Sequence, residues 1–180
     1  MTKRTLASFL EGAIPENEMD LVELSDKIWE LGDINDIFDQ LERDNFQIFI
    51  MMNIMGIWKG DGWGGILENA ELLPYIESAL ALFELEEILM HYRELMSLFP
   101  IDPYDDSVLK GFFDHHNFLI NSRFKVQDSR LQRIDSTERK RLSKAYQQIL
   151  PILDEQSELL WGYNTPNLEG WQMILDRFKK

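Results

Sequence analysis

Apolar residues recur at spacings of three and four along most of this chain, the period of helices with one buried face. Met19, Val22, Leu24, Ile28 and Leu31 follow Pro15 in this way, and Gly32 closes that helix. Asp33 or Asn35 can cap a second helix carrying Ile34, Ile37, Phe38 and Leu41. Residues 46–58 are apolar nearly all round, interrupted by Gln47, Asn53 and Gly56, which predicts a central buried helix. The glycines at 60, 62, 64 and 65 then predict a sharp turn between helices, with a short piece over 66–69 after it.

Further on, Pro74 suits a helix start, with Tyr75, Ala79, Leu80 and Leu82 on its apolar side. Residues 85–98 predict another helix with Ile88, Leu89, Tyr92, Leu95 and Met96 inward, ended by Pro100 and Pro103. Asp106 or Ser107 can cap a helix running through Phe112, Phe113, Phe118 and Leu119 toward Phe124. Residues 125–133 are polar and predict a loop. Asp135 and Glu138 have the spacing of a capping box, opening a helix with Leu142, Tyr146, Ile149 and Leu150. Pro151 predicts a kink or break before Leu153, Leu159, Leu160 and Trp161. Thr165-Pro166 reads as the start of a last helix through Trp171, Ile174 and Phe178. No alternating period competes. The expectation is an all-α chain, a single compact multi-helix bundle over 1–180 around a central buried apolar helix.

Charge sharpens this picture. The 180 residues carry a net charge of −14, distributed very unevenly. Residues 11–106 hold 23 acidic and four basic side chains, a net of −19; residues 107–144 hold four acidic and nine basic, a net of +5. This gives an acidic helical part over 15–106 and more basic helices over 107–180. A negative field repels nucleic acid and attracts basic partners, so direct nucleic-acid binding through the acidic part is disfavoured. The absence of cysteine excludes disulfides, thiolate catalysis and cysteine-ligated metals. The longest apolar run, 46–58, is too short to span a bilayer, and the N-terminus lacks a signal h-region, so the expectation is a cytoplasmic protein without membrane contact.

Catalytic motifs are scarce. Gly60, Gly62 and Gly65 spell G-x-G-x-x-G, but a helix precedes them where a strand is needed, and Asp61 sits inside the would-be phosphate nest. Adjacent His115 and His116 point about 100° apart on a helix and are poorly placed to share a metal. His91, with Glu87 four before it and Glu94 three after, is the one imidazole–carboxylate face. It supports an alternative reading as a metal- or carboxylate-dependent hydrolase. Otherwise the sequence points to no catalytic residue, resident metal or cofactor.

The remaining candidate is the acidic array itself. Asp33, Asp36, Asp39, Glu42 and Asp44 recur along one segment, and Glu84, Glu86, Glu87 and Glu94 along another. Carboxylates three or four apart on a helix lie about 5–6 Å from each other, a spacing comparable to successive phosphates. A stiff row of this kind can meet the Lys and Arg side chains of a DNA-binding protein, competing on the electrostatic terms of DNA itself.

Several motifs also carry a family resemblance. Gly64-Gly65-Ile66-Leu67-Glu68-Asn69, the helical segments 74–83 and 85–98, the closing Leu98-Phe99-Pro100, and the later helix over 142–161 with Asp154 occur in that order. Over 46–161 this resembles the DMP-type DNA-mimic family, a bacterial all-helical domain. Where the family carries Asn before the paired glycines this chain has Asp61-Gly62-Trp63, and Ile66 replaces an aromatic. The resemblance implies an all-α fold and, for its named member, an acidic homodimer that occupies the DNA-binding surface of a transcription factor. The expected function is an acidic interaction module binding a basic protein.

Overall fold

The computed structural model describes residues 3–10, 12–163 and 170–179. The chain is all-α, 74% helical, and no strand occurs among the described residues. Its helices are α1 (Glu18–Trp29), α2 (Ile34–Gln40), α3 (Arg43–Glu68), α4 (Leu73–Leu82), α5 (Glu86–Ser97), α6 (Asp106–Lys110), α7 (Phe112–Ile120), α8 (Ser129–Gln132), α9 (Ser136–Trp161) and α10 (Gln172–Leu175). One hydrophobic cluster runs from Leu6 to Leu175. The helix expected to be central is central: α3 buries Phe46, Phe49, Ile50, Met51, Ile54 and Met55, and α1, α4 and α9 pack around it. α5 packs on both α4 and α9, and α7 packs on α9. None of the helices is long and apolar enough to cross a membrane among the described residues.

The glycine-rich segment turns between two helical stretches as expected, but at a single residue: both stretches, counted together as α3, meet at a kink at Gly62, φ 65° and ψ −165°. That conformation suits glycine, and a Cβ at this position would sit 3.0 Å from Asp154 Oδ1. The same carboxylate oxygen accepts the Trp63 backbone N–H at 2.9 Å and the Trp58 Nε1–H at 3.1 Å. The break therefore leaves no orphaned amide at Trp63, since an α9 side chain replaces the helical acceptor. Trp63 Nε1 in turn donates to buried Ser157 Oγ at 2.8 Å, and Trp63 packs against Trp161 and Tyr92. Three α9 residues at helical spacing, Asp154, Ser157 and Trp161, fasten the bent helix in place.

Pro151 does not break α9, which runs unbroken for 26 residues. A proline leaves the carbonyl four residues earlier without its helical donor. Here both Gln147 and Pro151 are exposed, so water can serve that carbonyl, while Ile149, Leu153, Ser157 and Trp161 hold the inner stripe. Asp105, not Asp106 or Ser107, caps α6, and Gly111 separates α6 from α7. On α7 Phe112 is buried while Phe113 is 73% exposed. Residues 125–133 are not all loop: Asp128 caps the short α8, which buries Leu131. Asp135 caps α9 as expected, but Glu138 pairs with Arg141. Thr165 and Pro166 lie outside the described residues, while Trp171 and Ile174 are buried at the C-terminus.

Candidate functional site

All nine carboxylates singled out by sequence are exposed: Asp33, Asp36, Asp39, Glu42, Asp44, Glu84, Glu86, Glu87 and Glu94. None of them makes an ion pair with a described residue. They do not form one row. α2 ends at Gln40, Leu41 forms an isolated parallel bridge with Arg4, and Glu42 is the N-cap of α3, so the first five are divided between two helices and their caps with a bend between. Asp33 and Asp36 also have a local task. Asp33 accepts the N–H groups of Asn35 and Asp36, and Asp36 accepts that of Asp33, a reciprocal capping box.

α4 separates the two acidic groups. Tyr75, in its first turn, stacks on Phe38 of α2 and donates to Asn35 Oδ1 at 3.2 Å. Burial, then the negative field of Asp39 and Asp33, holds the Tyr75 phenol above its usual pKa, which places that field at this end of α4. Glu84, Glu86 and Glu87 follow the opposite end. Ten residues at 1.5 Å rise put about 15 Å between them. The result is two acidic patches at the ends of one helix, with Glu94 apart from the second, about 10 Å further along α5 from Glu87.

The second patch borders a groove of about 290 Å³ between the start of α5 and the end of α9. Its apolar floor is Leu85, Ile88, Leu159 and Leu160, with Gln156 alongside and Glu84, Glu86 and Glu87 on the rim. Leu159 is 74% exposed and Leu160 43%. The apolar residues named after Pro151, Leu153, Leu159, Leu160 and Trp161, thus do not share one face. The missed signal was phase: Tyr146, Ile149, Leu153, Ser157 and Trp161 define the buried stripe, and 100° per residue carries Leu159 to the other side of α9. Glu84 is the non-glycine residue with positive φ, 57°, among the described residues.

The histidines are each engaged elsewhere. His91 is half-buried, and its Nδ1 lies 3.0 Å from the Glu87 backbone carbonyl and 3.1 Å from Gln156 Oε1. The Glu87 and Glu94 carboxylates do not reach it, in contrast to the expected side-chain pairs, because Nδ1 is satisfied by α5's own backbone and by α9. No three His, Asp or Glu side chains converge in a metal-holding group among the described residues. His115 and His116 diverge as expected. His115 is 2% exposed with Nε2 3.1 Å from Asp128 Oδ2, and His116 Nε2 lies 2.7 Å from the Tyr146 hydroxyl. Burial depresses both imidazoles below their ordinary pKa. For His115 there is a further reason: Nδ1 is buried without a hydrogen-bond partner, so a second proton would be stranded. Arg130 holds the Asp128 carboxyl well below the usual range.

What the geometry defines is an all-helical protein with unpaired surface carboxylates in two patches, one beside an apolar groove. No family model, curated protein or solved structure matches the chain.

Proposed function

We propose that this protein is an acidic helical interaction module that binds a basic protein, and that the partner is a DNA-binding protein whose phosphate-contacting surface it occupies. The observation that carries this reading is the set of nine exposed carboxylates between Asp33 and Glu94 that have no described ion-pair partner, within residues 11–106 of net −19. Carboxylates on helices are held at defined spacings, and a basic surface meeting them releases its counterions as it would on DNA. The resemblance to DNA-mimic proteins points the same way. Two patches about 15 Å apart fit two clusters of Lys and Arg better than one continuous row.

The test is affinity capture from the producing cell, followed by reconstitution with the purified partner. The expected partner is basic, dissociates as ionic strength rises, and is displaced by duplex DNA. Replacing Asp39, Asp44, Glu86 and Glu87 by their amides should weaken binding and flatten its salt dependence. A partner bound equally well at high salt, or by the amide variant, would refute the reading.

A further inference from the structure

Charge alone does not account for the surface at the end of α9. Two adjacent leucines, 74% and 43% exposed, stand where the helix could carry polar residues at no cost to the core. Leu85 and Ile88 complete an apolar groove of about 290 Å³, large enough for one bulky side chain. Its rim is anionic: Glu84, Glu86 and Glu87 border it at the start of α5. None of these three carboxylates makes an ion pair with a described residue. Arg177 reaches the neighbouring turn, but its guanidinium donates to the Leu82 carbonyl at 2.7 Å and lies over the Phe83 ring.

Glu84 adds a second observation. It adopts φ 57°, a conformation that glycine takes freely and a glutamate takes against steric resistance. The turn between α4 and α5 thus sets a carboxylate at the rim of the groove where a glycine would be easier to fold.

We propose that this groove docks a basic amphipathic segment of the partner protein. An apolar side chain of that segment enters between Leu85, Ile88, Leu159 and Leu160, and flanking Lys or Arg residues meet the rim glutamates. The proposal rests on the reading of this protein as a binder of basic proteins and names where that binding gains specificity. Charge complementarity selects the occupant: a second copy would bring its own glutamates against these, while a cationic segment relieves their mutual repulsion.

The experiment is an NMR titration of the full chain at low salt with two synthetic helical peptides of equal positive charge. One has a leucine stripe flanked by Lys and Arg, and the other has serine in place of each leucine. The leucine peptide should bind about tenfold more tightly, with amide shifts concentrated at 84–88 and 156–160. In Leu159→Ser the two peptides should bind alike, while the melting temperature stays put because that side chain already faces water. Glu84→Gly should bind the leucine peptide more weakly and yet melt higher, since the strained φ is relieved. A purely structural role for Glu84 would move both quantities together. Equal binding of both peptides to the parent chain, shifts confined to other surfaces, or a dimer dispersed by Leu159→Ser would overturn the groove as the docking site. Under the first two outcomes the charge-based reading survives. If neither peptide binds at low salt, that reading falls as well.

Discussion

Between residues 105 and 141 three of the six acidic side chains pair with a lysine or arginine. Asp106 meets Lys110 at 2.8 Å, Asp128 meets Arg130 at 2.8 Å, and Glu138 meets Arg141 at 2.7 Å. Between residues 33 and 94 the pairing of Glu77 with Arg93 at 2.8 Å stands beside nine exposed carboxylates with no ion pair to a described residue. The difference follows from supply. The 23 acidic residues over 11–106 share that segment with Lys27, Arg43, Lys59 and Arg93, whereas 107–144 has nine bases for four acids. One region has a local surplus of bases that offsets its acids; the other keeps a net negative field.

Asp154 lies outside both groups and gives the largest expected effect. It meets no described cation, yet it accepts from Trp58 Nε1 and the Trp63 amide at the break in α3. Asp154→Ala leaves the Trp63 N–H without its acceptor and loses a charged hydrogen bond to Trp58. The expected destabilisation is about 2–3 kcal/mol, read by urea unfolding with tryptophan fluorescence. Asp154→Asn keeps a carbonyl oxygen and should lose less. An alanine variant as stable as the parent would remove the claim that α9 holds α3 bent.

Acid is the next lever, and it acts on the base-rich region. Burial holds the folded pKa values of His115 and His116 below the ordinary 6.5 of an imidazole, so the unfolded chain binds more protons as pH falls past that value. Their contribution to stability is complete above pH 6.5 and is lost progressively below it. Asp128 works at lower pH: its folded pKa is depressed below the usual 3.8, so its contribution is full well above that value and is lost progressively as pH falls from it toward the folded value. For His115, Asp128 and Asp114 oppose the shift and Arg130 adds to it, with burial dominant. Melting temperature should therefore decline between pH 7 and 5 in the parent and decline less in His115→Gln. An unchanged slope in that variant would show that His115 is not a source of the acid sensitivity.

The two halves were not equally legible from sequence. Apolar period alone found α3, α5 and the inward residues Ile88, Leu89, Tyr92, Leu95 and Met96, because burial of one helical face is written in spacing. It located the kink at Gly62 but failed at Pro151, where local propensity says break and α9 runs on. The acceptor that serves the Trp63 amide at the kink is Asp154, 91 positions away, and no local pattern announces it. The His115–Asp128 and His116–Tyr146 pairs were hidden for the same reason. Among the acidic residues, exposure does not separate carboxylates that cap from carboxylates that only project. That distinction needs coordinates.

Asp36 and Asp39 put this last distinction to its smallest test, because both are exposed and lie one turn apart on α2. The Asp36 carboxylate accepts the Asp33 N–H within the capping box, so Asp36→Asn should cost up to about 1 kcal/mol through a weakened cap. Asp39 makes no described side-chain hydrogen bond, and Asp39→Asn should change stability by less than about 0.5 kcal/mol. Relief of repulsion with neighbouring carboxylates could even turn the sign. Binding should rank them differently: each removes one negative charge, so each should weaken a basic partner to a similar degree at low salt and hardly at all at high salt. Thermal melts and salt-dependent affinities on the two single variants separate the roles. Loss of binding through Asp36 alone, in step with its loss of stability, would mean that the α2 carboxylates serve the helix and not a partner.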